Sequence, residues 1–145
     1  MPIIKQVEVI PCRVPFRQNF VIGRGQVGQA GEGGRHVFVR IETDSGHVGW
    51  GEARALPVWS YETVESIASA VRGYLAPLLI GRSPFELNAI HKAMYETLTP
   101  SVSNGQPFAK SAVDIALHDL QGRITGQPIH ALLGGKVRAR VPLTY

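Results

Sequence analysis

Two alternating segments meet at a three-residue turn, and this arrangement limits the fold more than any other feature of the chain. Residues 36–43 place Val37, Val39 and Ile41 on one face, with Arg40 and Glu42 on the other. A period of two belongs to a strand with one buried face, and a one-residue slip would expose its whole apolar set. Asp44-Ser45-Gly46 follows, with glycine available for positive φ, and residues 47–53 return carrying Val48 and Trp50. The pattern predicts a β-hairpin. Upstream, residues 3–15 alternate Val7 and Val9 with Gln6 and Glu8, as expected of a third antiparallel strand.

Beyond residue 60 the period becomes helical. Ser60 is expected to cap a helix with the apolar stripe Val64, Ile67, Ala68, Val71, Leu75 and Leu78, with Glu62 and Glu65 near its positive end. Ser83-Pro84-Phe85-Glu86 has the form of a capping box with proline at the first helical position, followed by Leu87, Ile90, Met94 and Leu98. Pro107 opens a third helix bearing Ala109, Ala112, Val113, Ala116, Leu117, Leu120 and Ile124, and Gly126 is placed to end it. A short helix runs from Pro128 to Leu133, closed by Gly134-Gly135, and residues 137–145 have the pattern of a strand. Strands followed by helices predict an α+β fold, here a three-stranded antiparallel meander followed by a helical bundle.

The 145 residues suffice for one domain with its own core. They fall short of a (β/α)₈ barrel, which takes about 250. No apolar run is long enough for a membrane span, and the N-terminus lacks the basic and apolar regions of a secretory signal. Cys12 is the single cysteine, so no internal disulfide forms, and a cytoplasmic location is expected. The net charge is +4. Its basic residues are scattered from Lys5 to Arg140 and do not form a patch interleaved with aromatics, so no nucleic-acid partner is expected.

Several motifs fail on context. Gly23-Arg24-Gly25-Gln26-Val27-Gly28 spells G-x-G-x-x-G, but the glycine-rich residues after it cannot open the helix that a dinucleotide site needs. A hairpin loop acting as a lid is the functional reading of this stretch. His36, His47, His91, His118 and His130 include no i,i+4 pair of zinc-ligand type. His118 and Asp119 are adjacent on a helix and do not face each other, which favours packing over an oriented base. Asp114 and Asp119 diverge on that helix, and no acid follows Asp119, so no convergent Mg²⁺ site can be assembled. Cys12 reads as a strand residue, with nothing beside it to lower its pKa.

Four segments in order carry a resemblance: His47-Val-Gly-Trp-Gly-Glu-Ala53, Glu62-Thr-Val-Glu-Ser66, Ala109-Lys-Ser-Ala-Val-Asp-Ile-Ala-Leu-His-Asp-Leu-Gln-Gly122, and Gly126-Gln-Pro-Ile-His-Ala-Leu-Leu-Gly-Gly-Lys-Val-Arg-Ala-Arg-Val-Pro142. Together they resemble the N-terminal capping domain of the enolase superfamily, in the mandelate racemase and muconate lactonizing enzyme group. The resemblance implies a capping domain over residues 1–135, with residues 136–145 starting a (β/α)-barrel whose remainder is missing from this chain. It implies an isomerase or lyase that removes an α-proton from a small carboxylate substrate, with Mg²⁺ stabilising the enediolate. The bases and metal ligands would lie on barrel strands beyond Tyr145. The 145 residues alone are then expected to be inactive, with no catalytic or metal residue among them. The complete protein is expected to be a homo-oligomer.

The family's two substrate-covering loops correspond to residues 20–35 and 54–60. The implied contacts are Phe20, Val21, Ile22 and Arg24 in the first, and Arg54, Leu56, Val58 and Trp59 in the second, with Arg54 available to an anion. The chain departs from common members in its long glycine-rich first loop and in His118, where tryptophan is frequent. Epimerisation, cycloisomerisation and dehydration all remain open. The alternative is a stand-alone, non-catalytic binding or assembly module derived from the cap. A strand pattern running to the last residue favours the severed cap over that module.

Overall fold

The computed structural model describes residues 1–23 and 25–143. Its main sheet has three antiparallel strands, β1 (Ile4–Pro15), β4 (Gly33–Thr43) and β5 (Val48–Arg54), in the order β1-β4-β5. Val9 pairs with Val39 and Val39 with Gly51, so one row of inward positions crosses the sheet. Val37, Val39 and Ile41 are fully buried on that face. Gly46 takes φ 82° in the predicted turn. The meander agrees with the sequence reading.

The glycine-rich stretch does not form an open loop. Between β1 and β4 it builds a second, two-stranded sheet of β2 (Phe20–Ile22) and β3 (Gly25–Gly28). β4 also begins at Gly33, earlier than predicted, and its first residues pair with Val14 and Pro15.

Helix α1 (Val64–Ala70) is capped by Thr63 and not by Ser60. Thr63 Oγ1 accepts the Ser66 N–H at 3.2 Å, and Ser66 Oγ accepts the Thr63 N–H at 2.9 Å. The apolar stripe is as predicted, but the helix is not uniform. Val71–Leu75 is a π-helical turn, followed by α2 (Ala76–Leu79). Pro77 has no N–H to donate to Gly73 and its ring crowds that carbonyl, so the backbone widens and Ala76 N–H bonds Val71 O instead. The expected capping box at Ser83 is also replaced. Ser83 Oγ accepts from Phe85 N–H, Glu86 turns toward Arg82, and α3 starts at Leu87 (Leu87–Thr97). Gln121 Nε2 donates to Pro84 O at 2.7 Å, a tertiary bond that holds this turn outside the helix.

Helix α4 (Pro107–Thr125) is the longest element and packs directly on β5. Gly49 and Gly51 face it. A Cβ on Gly51 would collide with the Ala112 carbonyl oxygen, and one on Gly49 with that of Ala116. Ala109, Ala112 and Ala116 are fully buried on the facing side. Asp119 fixes the edge of this contact, accepting from Trp50 N–H at 2.8 Å and from Arg123 Nε at 2.9 Å. His118 Nδ1 lies 2.9 Å from Asp114 O, one turn back, so His118 and Asp119 have separate partners.

Glu62, expected near the positive end of the first helix, is buried and serves another helix. Its two oxygens accept the N–H groups of Phe108 (2.7 Å) and Ala109 (3.3 Å), the first donors of α4. Gln106, the residue before the helix, is left-handed at φ 57° and offers no side-chain cap. Glu62 therefore caps α4 from a distant part of the chain. Burial raises its pKa above the ordinary 4.5, outweighing the two backbone bonds and the charge of Lys110.

Gly126 ends α4 in the left-handed conformation, as predicted, and α5 (Ile129–Leu132) follows. Residues 136–143 form no strand in the structure and are exposed. The predicted barrel strand is thus not formed here, since a lone extended segment has no neighbour to pair with; Thr144 and Tyr145 lie outside the described residues.

Two outcomes follow. Gly51→Ala should destabilise the fold by about 2–3 kcal/mol, because the added methyl meets backbone that cannot rotate away; urea unfolding midpoints measure this. Glu62 holds its proton more tightly folded than unfolded, so its contribution to stability is present at low pH and lost as pH rises above 4.5 through the folded value. The stability of the natural chain minus that of Glu62→Gln should therefore fall over that interval in unfolding curves taken at successive pH values.

Candidate functional site

The end of β5 and the residues after it form one wall of the candidate site. Arg54 closes β5, and Ala55 N–H bonds Arg35 O at 3.1 Å. The chain then turns, with Trp59 and Ser60 N–H groups both donating to Leu56 O. This turn places Leu56 half-buried and leaves Val58 and Trp59 exposed. Three residues later Glu62 clamps the chain to α4, which brings Phe108 beside Trp59.

Two cavities meet at Trp59. One, of about 290 Å³, is lined by Arg54, Leu56, Trp59, Ser60 and Phe108. The other, of about 640 Å³, is lined by Ile22, Gly23, Gln26, Val27, Val58 and Trp59. The β2–β3 hairpin and the 54–60 segment, two regions separate in sequence, thus share one indole as a wall.

Arg54 is held by aromatic rings. Its guanidinium carbon lies 5.0 Å from the centroid of Phe16 and 5.9 Å from that of Phe20. Phe16 in turn occupies space that glycine leaves open, because a Cβ on Gly28 or Gly34 would meet its ring. Phe16 also ties the hairpin base down, its N–H donating to Glu32 O at 2.8 Å and its carbonyl accepting from Gly31 N–H at 3.0 Å. Part of the glycine content therefore provides room for an aromatic ring.

Of the residues expected here, Ile22, Val58 and Trp59 gather at the larger cavity, and Arg54, Leu56 and Trp59 at the smaller. Phe20 packs on Arg54, while Val21 is exposed and lines neither cavity. Arg24 lies outside the described residues. Sequence reading missed Phe16, Ser60 and Phe108. The sequence pattern points Ser60 to a helix cap, and no local pattern ties Phe16 or Phe108 to the site.

Among the described residues, no three of His, Cys, Asp and Glu converge as metal ligands, and no helix is long and apolar enough to cross a membrane. The residues present do not fit a Mg²⁺ ion.

Residues 5–134 match the family described as mandelate racemase / muconate lactonizing enzyme, N-terminal domain. The chain is 33% identical over 142 residues to N-succinyl-L-Arg/Lys racemase of Bacillus cereus, spanning 98% of this chain and 36% of that protein. It is 34% identical over 138 residues to chloromuconate cycloisomerase of Cupriavidus necator, spanning 94% and 34%. The crystal structure of the Bacillus cereus N-succinyl Arg/Lys racemase superimposes with a TM-score of 0.85 at 33% identity, over 98% of this chain and 36% of that one. The L-Ala-D/L-Glu epimerase of Bacillus subtilis, in a substrate-liganded complex, gives 0.78 at 34% identity, over 90% and 34%. The chain spans about a third of the length of these relatives. It belongs to the enolase superfamily, as an N-terminal domain of the mandelate racemase / muconate lactonizing enzyme family.

Proposed function

We propose that this chain is the substrate-capping domain of an isomerase that abstracts an α-proton from a small carboxylate. The observation that carries this reading is the meeting of the β2–β3 hairpin and the 54–60 segment at Trp59. A cap needs two covering elements that close on a common space, held by a rigid scaffold. Here the sheet and α4 are that scaffold. Its relatives include a racemase, an epimerase and cycloisomerases, which supports an isomerase.

In this reading the chain binds, orients and excludes water, and the proton is moved by residues it does not contain. Residues 1–135 are the cap and residues 136–145 the beginning of a (β/α)-barrel. Mg²⁺, where the barrel supplies ligands for it, would stabilise the enediolate. Val58 and Trp59 would cover the substrate, with Ile22 and Gln26 facing them across the larger cavity. Phe20 and Val21 belong to the same covering hairpin, and Arg24 is proposed with them as a substrate contact.

Deuterium exchange at the α-carbon tests this, using a carboxylate panel that includes N-succinyl amino acids, dipeptides and muconates. The complete protein should exchange one class of the panel, and the 145-residue chain alone should stay at background with Mg²⁺ present. Exchange by the short chain would overturn the reading. In the complete protein, Trp59→Ala should raise KM about tenfold with a smaller effect on kcat, as loss of binding surface does.

The isolated chain also exposes what a barrel would cover. Val137, Val141 and Leu143 are each at least three-quarters exposed, and Val58 and Trp59 nearly so. It should self-associate in sedimentation velocity as concentration rises. A clean monomer that binds no apolar dye would instead favour the stand-alone module.

A further inference from the structure

Away from Trp59, helix α3, the residues after it and the first turns of α4 border a separate cavity of about 320 Å³. It shares no lining residue with the two cavities at Trp59. Its volume lies at the small end of ligand pockets, which run from about 300 to 1,000 Å³. Lys110 and Asp114, four residues apart on α4, both line it. Opposite charges at that helical spacing ordinarily attract one another into a pair. Here each turns to a different group.

Lys110 is buried. Its Nζ donates to Leu98 O at 2.5 Å and lies 4.2 Å from the centroid of the Tyr95 ring. The carbonyl and the ring face occupy two of the three ammonium N–H groups, and the third has no acceptor among the described residues. Glu62 acts on this charge through space, but its oxygens are bonded to Phe108 and Ala109 N–H. Burial pulls the Lys110 pKa below its usual value, as expected of an ammonium short of partners.

Asp114 is engaged through one oxygen. Its Oδ1 lies 2.6 Å from His91 Nε2 and 3.4 Å from His118 Nδ1, while Oδ2 has no partner among the described residues. The Asp114 and His91 side chains are 35% and 40% exposed, and Ser111 beside them is exposed, so this wall is open.

The cavity therefore has a positive end and a negative end. A simple anion would be drawn to Lys110 and repelled by Asp114, and a simple cation the reverse. A ligand with both charges suits both ends. Its carboxylate accepts from Lys110 and the Ser111 hydroxyl, and its ammonium donates to Asp114 Oδ2. Four residues rise about 6 Å along a helix, which matches the short span of an α-amino acid and its two contacts. Met94, Pro100 and Pro107 add apolar wall for a side chain.

We propose that this cavity binds a small apolar α-amino acid as its zwitterion, between Lys110 and Asp114. Such a ligand sits apart from the substrate-covering elements, and its binding does not depend on the capping role proposed above.

Met1 and Met94 are the two methionines, so protein labelled with ¹³C-methyl methionine carries one reporter on the cavity wall. L-Valine should move the Met94 methyl resonance saturably. Isovalerate lacks the ammonium and isobutylamine lacks the carboxylate, and each should bind about tenfold more weakly, for want of one charge-assisted bond. Asp114→Asn should weaken L-valine by a similar factor and tighten isovalerate, because a repelling charge is gone. Lys110→Met should abolish the shift with L-valine. Should Lys110→Met unfold, Asp114→Asn and the three compounds on the natural chain carry the test. Equal binding of the three compounds, an Asp114→Asn variant that keeps the natural preference for L-valine over isovalerate, or no saturable shift would each overturn the proposal.

Discussion

Helix α4 lies against β5 at backbone distance because Gly49 and Gly51 present no side chain to it and Ala112 and Ala116 present little. The contact cannot loosen gradually, since the atoms that meet are carbonyl oxygens and Cα positions with no rotamer to change. Once α4 is placed this closely, its first turn lies beside the segment leaving β5. Glu62 then reaches the N–H groups of Phe108 and Ala109, and Phe108 becomes a wall of the smaller cavity. A contact between glycine and alanine in the core thus determines where the apolar floor of the candidate site stands.

The parts of the fold legible in the sequence are those set by burial periodicity. Val37, Val39 and Ile41 specify a face, Gly46 permits the turn, and the register follows. The α4 stripe and its end at Gly126 are equally local. The departures arise where a distant partner competes with a local motif. Ser60 and Thr63 are both hydroxyl residues at a helix start, but Glu62 is engaged with α4, and the chain turns at Leu56 before entering the helix at Val64. Ser83 loses its capping box to a turn braced by Gln121. The Pro77 distortion was signalled in the sequence, since a proline inside a helical stripe has to displace a bond.

The site was less legible than the fold. Its outline came from the family resemblance, and its chemistry came from partners that spacing does not reveal. Glycine in residues 23–34 suggests chain freedom, yet Gly28 and Gly34 give the Phe16 ring its room, and Phe16 steadies Arg54. No periodicity links residues 16, 54 and 108. The ion pairs on the outer face of the sheet, such as Lys5 and Arg40 with Glu42, draw Glu42 below its ordinary pKa without engaging the core.

The two sides of the candidate site are anchored differently. The 54–60 segment is fixed at both ends, by β5 pairing and by the Glu62 clamp, so changes there act on the core as well as on a ligand. The β2–β3 hairpin is joined to the scaffold through Phe16 and its bonds to Gly31 and Glu32, and neither of its strands pairs with the main sheet. Substitutions at Ile22, Gln26 or Val27 therefore alter the larger cavity without touching the packing of α4 on β5. Selectivity can change on the hairpin side while Arg54 and Phe108 stay in place, because the bonds that hold them belong to the scaffold.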